Sequence, residues 1–150
     1  MDAFEKNLNH VLVDTFNYIL KYEEASLKKI LNVSVTITEA HLIEAIGKQE
    51  NKKTTVSKIA SLLNISVPTA TVAVKKLESK GFVIKVPCEE DGRRTIISLT
   101  DMGKKIEKIH HLFHEKMVKN ISSQFPDSEK DILLKAITKL NEFFKEKIEV

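Results

Sequence analysis

The sequence has no tryptophan, one cysteine, three prolines and four glycines in 150 residues. One cysteine excludes an internal disulfide and agrees with a reducing compartment. So few glycines and prolines, with abundant Lys, Glu, Leu and Ile, argue against an all-β fold and favour helix. No apolar run reaches the length of a bilayer span. The opening MDAFEKNLNH carries neither the basic n-region nor the apolar h-region of a signal peptide. The expected compartment is the cytoplasm. Also missing are H-E-x-x-H, a glycine-rich phosphate loop and a nucleophile elbow, so an enzyme is not expected. The length fits one compact domain.

What charge there is lies unevenly. Residues 52–105 carry eleven Lys/Arg against five Asp/Glu, a net of +6, whereas the remaining residues carry thirteen against sixteen, a net of −3. A basic middle between acidic ends suits an anionic partner such as nucleic acid. Charge alone does not separate that reading from a solvated lysine-rich surface.

Apolar periodicity predicts a long helix over 3–31, with Phe4, Leu8, Val11, Leu12, Phe16, Ile19 and Leu20 at helical spacing. Thr38 is expected to cap a second helix ending near Gly47, followed by a polar loop, KQENKK. A short helix is expected over 55–63, then a tight connection, Asn64-Ile65-Ser66. Ser66 is placed to cap a helix over 67–80, with Pro68 in its first turn and Gly81 at its end. Val67, Ala70, Val74 and Leu77 form its expected buried side. Two strands, about 82–87 and 94–99, are joined across Asp91-Gly92. Thr100 caps a helix running to about Ile121, and a last helix covers about 127–148.

The order helix, helix, tight turn, helix, hairpin is the plan of a winged helix-turn-helix. The fold class is therefore mainly α with a small β-hairpin wing. Residues 36–103 would form the DNA-binding module, and 1–35 with 104–150 a helical dimerisation region. The second helix of the turn enters the major groove in such modules. Ser66, Thr69 and Thr71 can reach base edges or phosphates there, and Lys75 and Lys76 suit phosphates. Arg93 and Arg94 at a hairpin tip fit a narrow minor groove, while Asp91, Gly92 and Thr100 shape the wing. The bland reading of that tip is a solvated turn, but it leaves the joint occurrence of turn, helix and basic hairpin unexplained.

Asp91, Arg93, Leu99, Thr100 and Gly103 match D-x-R-x5-L-T-x2-G, and "LESKGFV" (77–83) resembles the helix-to-wing junction of the same family. On these residues the whole chain resembles the MarR-type transcription regulators. The resemblance implies a cytoplasmic homodimer, paired through its terminal helices, that binds a palindromic operator in double-stranded DNA, as a repressor. A narrower resemblance lies in "FNYILKYEEASLKK", "TITEAHLIEAIGK" and "FHEKMV", which look like the FabT-type members. Those repress fatty-acid synthesis genes and respond to acyl chains on acyl carrier protein. It implies an acyl-chain effector and acyl carrier protein as a further partner. Phe16, Ile19, Leu20, Ile43, Ile109 and Phe113 are candidates to line the effector pocket, and each also reads as ordinary core or dimer seam.

His110 and His114 lie four apart and share a helix face. With His41 and a first-helix carboxylate, Glu23 or Glu24, they form a donor set suited to zinc. Glu24 is the candidate ligand, and the arrangement resembles the site of zinc-sensing MarR-type members. A zinc-responsive regulator is thus the second reading, against ordinary hydrogen-bonded histidines. No catalytic residues are assigned. A metal-dependent enzyme or an adaptor that binds no DNA would leave the basic wing without a purpose. His10 has no partner in view and His111 points away from the other two. Cys88 stands before Glu89, Glu90 and Asp91, acids that disfavour a thiolate, so a small strand-end residue is the expected role.

Overall fold

The computed structural model describes residues 1–31, 33–88 and 95–148. The wing tip, with Asp91, Gly92, Arg93 and Arg94, lies outside the described residues. Among the described residues, six helices and three short strands follow in order: α1 (Ala3–Leu31), α2 (Ile37–Gly47), β1 (Lys53–Thr54), α3 (Val56–Leu62), α4 (Val67–Ser79), β2 (Val83–Pro87), β3 (Thr95–Leu99), α5 (Asp101–Ser122) and α6 (Asp127–Ile148). A 3-10 turn, Glu50–Lys52, precedes β1. The chain divides into two compact units, residues 1–113 and 114–150, with the boundary inside α5.

In the first unit, α2, α3 and α4 close on one side of an antiparallel sheet of order β1-β3-β2. Leu42, Ile43, Ile46, Ile59, Ala70, Val74, Leu77, Phe82, Ile97 and Ile106 are its core. The register pairs Val83 with Leu99 and Lys85 with Ile97 on one side of β3, and Thr54 with Ile97 on the other. The strand β1 lies in what the sequence presents as a polar loop. At two residues it is too short to show alternation.

Turn chemistry fixes the helix-turn-helix. Asn64 takes a left-handed φ of 51°, which asparagine tolerates, and Ile65 N–H donates to Ala60 O at 3.0 Å. Ser66 then caps α4, its Oγ accepting from Thr69 N–H at 3.3 Å. The chain bends 111° from α3 to α4, within the range such motifs use. Ala70, Val74 and Leu77 are fully buried, as the periodicity requires, but Val67 is 48% exposed. As the first residue after the cap, it sits too near the helix end for the core to reach.

The cap of α2 is Thr36, not Thr38. Thr36 Oγ1 accepts from Glu39 N–H at 3.2 Å, and Glu39 Oε2 accepts from Thr36 N–H at 2.9 Å, a reciprocal capping box. The T-x-x-E spacing in "TITE" is its sequence signal. Lys80 Nζ donates to the same carboxylate at 2.8 Å and to Ser34 O at 3.1 Å, so the end of α4 is tied to the start of α2. Burial raises the Glu39 carboxyl pKa, but the Lys80 hydrogen bond, the Thr36 N–H and the nearby ammonium outweigh it. The net position is below the ordinary carboxylate value. A depressed carboxylate contributes stability above its unfolded pKa, about 4.3, which is lost as pH falls through the lower folded value. Thr36→Ala should cost about 1 kcal/mol in urea unfolding at neutral pH. Glu39→Gln should flatten the acid limb of the stability profile; an unchanged limb would sink this account.

The second unit holds the end of α5 and all of α6. No residue of α6 is buried, and Ile132, Leu134, Ile137, Phe143 and Phe144 are each more than half exposed. The first half of α1 is similar, with Phe4, Val11 and Phe16 in solvent. Among the described residues no single helix is long and apolar enough to cross a membrane.

Candidate nucleic-acid interface and histidine cluster

Because Ala70, Val74 and Leu77 fix the inner side of α4, its outer side is also fixed. Ser66, Thr69, Lys75 and Lys76 are exposed on it. Thr71 is half-buried and its hydroxyl donates to Val67 O at 2.8 Å, within the helix. Beside α4, a groove of ≈ 550 Å³ runs against the start of α2, between Thr36, Thr38 and Leu42 on one wall and Thr69, Val72 and Lys76 on the other. Val72, absent from the residues the sequence singles out, is 62% exposed.

The wing is anchored at its base. Thr100 N–H donates to Phe82 O at 3.1 Å. Thr100 Oγ1 lies 2.7 Å from Gly81 O and 3.1 Å from Phe82 O, sharing its one proton, and accepts from Gly103 N–H at 3.1 Å. Thr100 thus caps α5 and locks the α4–β2 junction at once. Lys85 on β2 pairs with Glu78 of α4 at 2.6 Å, bracing the same junction.

A second constellation lies deeper. Glu23 is 1% exposed and His110 fully buried. His110 Nε2 and His41 Nε2 both lie within hydrogen-bond reach of Glu23 Oε1, the latter at 3.3 Å. An ionised carboxylate only accepts, so it takes up either ring in the tautomer that carries hydrogen on Nε2. The ligand atoms of Glu23, His41 and His110 lie within 4.8 Å of one another. On its other side, His110 Nδ1 lies 3.1 Å from Glu44 Oε2. His114, half-buried, follows His110 by one turn of α5 on the same face. The carboxylate is Glu23 rather than Glu24, which is exposed. Glu23 falls four residues before the fully buried Leu27 and so shares its inward face.

The six apolar candidates differ in burial. Ile43 and Phe113 are buried, Leu20 and Ile109 half-buried, and Phe16 and Ile19 exposed at 65% and 38%. Tyr22 packs on Phe113 with ring centroids 5.1 Å apart. His10, expected without a partner, lies 3.5 Å from Asp14 one turn along α1. Cys88 is a free, half-buried thiol just past β2.

A family model for the MarR family matches residues 35–95, from the approach to α2 to the start of β3. The chain is similar to Streptococcus pneumoniae FabT, solved in complex with DNA: 30% identity and a TM-score of 0.87, over 95% of this chain and 98% of that one. It is 27% identical to the transcriptional regulator ZitR of Lactococcus lactis subsp. cremoris (strain MG1363) over 117 residues, 76% of this chain and 79% of ZitR. It is 28% identical to the HTH-type transcriptional regulator YhjH of Bacillus subtilis (strain 168) over 91 residues, 61% of this chain. The match spans about half of YhjH, 51% of its length.

Proposed function

The chain belongs to the MarR family of DNA-binding transcription regulators, and we propose that it acts as a homodimeric repressor of fatty-acid synthesis genes. The observation that carries the docking is the outer side of α4, where Ser66, Thr69, Lys75 and Lys76 stand exposed on a helix whose other side is core. Residues 36–103 form the DNA-binding module. The N-terminus of α4 enters the major groove, Thr69 lies toward the bases, Lys75 and Lys76 toward the phosphates, and Thr71 beside Lys75 at the edge of that face. Arg93 and Arg94 reach the minor groove from the wing.

Residues 1–35 and 104–150 pair the two copies. Exposed apolar side chains along α1 and α6 support this, because a lone protomer leaves them in water. A two-fold dimer reads a palindrome, with half-sites about 34 Å apart. Likeness to FabT over nearly the whole chain supports the choice of target genes; an acyl chain, delivered by acyl carrier protein, is the effector that the resemblance implies. Phe16, Ile19, Leu20, Ile43, Ile109 and Phe113 are the residues proposed to meet that chain.

Purified protein should select, from genomic fragments of its own organism, an inverted repeat upstream of fatty-acid synthesis genes. Affinity should fall linearly with salt on logarithmic axes. Acyl carrier protein bearing a long acyl chain should change that affinity. Recovery of no site at any salt would overturn the docking, and an unmoved affinity would overturn the effector.

The convergence of two imidazoles on one buried carboxylate favours a second reading, a zinc-responsive regulator. The donors fit the ion by type: two imidazoles and a carboxylate, with ligand atoms within 4.8 Å of one another. Glu23, His41 and His110 would hold zinc, with His114 next along α5. Glu44 would accept a hydrogen bond from His110 Nδ1–H, as the outer carboxylates of metal-bound histidines do. Zinc bound there would bridge α1, α2 and α5, and so bias how α2 is held.

A further inference from the structure

We propose that Val72 determines part of the operator sequence, by placing its methyls against the C5-methyl of one thymine in each half-site. This rests on the docking of α4 proposed above. Taking the buried Ala70 as the zero of a helix turning about 100° per residue, Val72 lies at about 200°, almost opposite the core. Thr69 and Lys76 fall within about 60° of it on one side, and Pro68 and Lys75 within about 60° on the other. An exposed valine therefore occupies the centre line of the reading face, with a lysine on each flank. This is the order a major groove presents, with phosphates on both rims and base edges between them.

Chemistry narrows what the valine meets. It has no donor or acceptor, so it gains nothing from the hydrogen-bonding edges of guanine, adenine or cytosine. The one apolar group on the floor of the major groove is the thymine methyl. A lone exposed valine is ordinary on a protein surface. Here, however, it forms the middle of one wall of the groove shared with Thr38 and Leu42, beside the helix terminus that must approach the bases. Leu42 is 2% exposed and closes the groove behind it. The contact would take the apolar surface of both methyl groups out of water, which is how it adds to affinity.

The test uses the full-length protein and its selected operator. Each thymine is replaced in turn by deoxyuridine, which removes one methyl and nothing else. Binding is read by fluorescence anisotropy for the wild type and for Val72→Ala. Alanine is the better helix former and the site is exposed, so the variant keeps its fold, checked by circular dichroism. One position in each half-site should show a loss of about fourfold for the wild type, the size expected of one buried methyl. Val72→Ala should bind thymine and uracil operators equally at that position. No sensitive thymine in the wild type, or the same sensitivity in Val72→Ala, would overturn the proposal. The docking is read separately from the salt dependence of the wild type on the unmodified operator. If that binding is absent, the docking falls and takes the proposal with it.

Discussion

Gly103→Ala is expected to destabilise the first unit by about 3 kcal/mol, the upper end of what overpacking a tight contact costs. A Cβ built on Gly103 would stand 2.1 Å from Phe82 O and 3.2 Å from Phe82 C. Those are backbone atoms, so no side chain can swing aside. Phe82 O is also the acceptor for Thr100 N–H, and Thr100 Oγ1 spans Gly81 O and Phe82 O. Relieving the clash means pulling α5 off the α4–β2 junction and breaking that lock. The L-T-x2-G part of the family signature thus has a physical content: the threonine knots three segments and the glycine lets the helix lie against a carbonyl. Urea unfolding of Gly103→Ala against Gly81→Ala makes the test specific. Gly81 has φ +74° and open space around it, so its alanine variant meets only backbone strain, about 1 kcal/mol. Equal losses in the two variants would refute the close-approach argument. Because the junction aims the hairpin, Gly103→Ala should also weaken operator binding under conditions where the protein stays folded.

Local rules made much of the first unit legible. Asn64, Ser66, Pro68 and Gly81 each mark a backbone need that few other residues meet, and the helix-turn-helix was readable from them. Two elements escaped because their signals compete. Thr36 and Thr38 both precede an apolar run, and only the three-residue spacing to Glu39 identifies the cap. The strand β1 is created by its partner: Thr54 is held by pairing with Ile97 of β3, a contact that leaves no local pattern. The choice between Glu23 and Glu24 is a matter of helix phase. The inward face of α1 is set near its end by Leu27, beyond the apolar run that marks the helix in sequence. Val72 is hidden for a different reason. Its side chain offers no hydrogen bond to mark it as a reader, and an apolar reader is visible only once burial shows which side of α4 the core has not taken.

Glu23 carries the second large effect, and two substitutions there separate a structural tie from a metal site. Glu23→Ala takes the carboxylate away from Nε2 of the fully buried His110 and should cost about 3 kcal/mol on unfolding. Glu23→Gln keeps a carbonyl oxygen in place to accept from His110 Nε2, so most of that stability should remain. The glutamine, however, removes the one anionic donor between two imidazoles. If the cluster holds zinc, the wild type should bind cobalt, as a spectroscopic substitute, in stoichiometric amount. Glu23→Gln should then bind it at least about 100-fold more weakly, beyond the effect of losing an outer carboxylate. Absence of stoichiometric cobalt binding in the wild type would remove the zinc reading. It would leave the Glu23–His110 pair as a buried strut that fixes α1 against α5, with the fatty-acid reading alone to explain what the regulator senses.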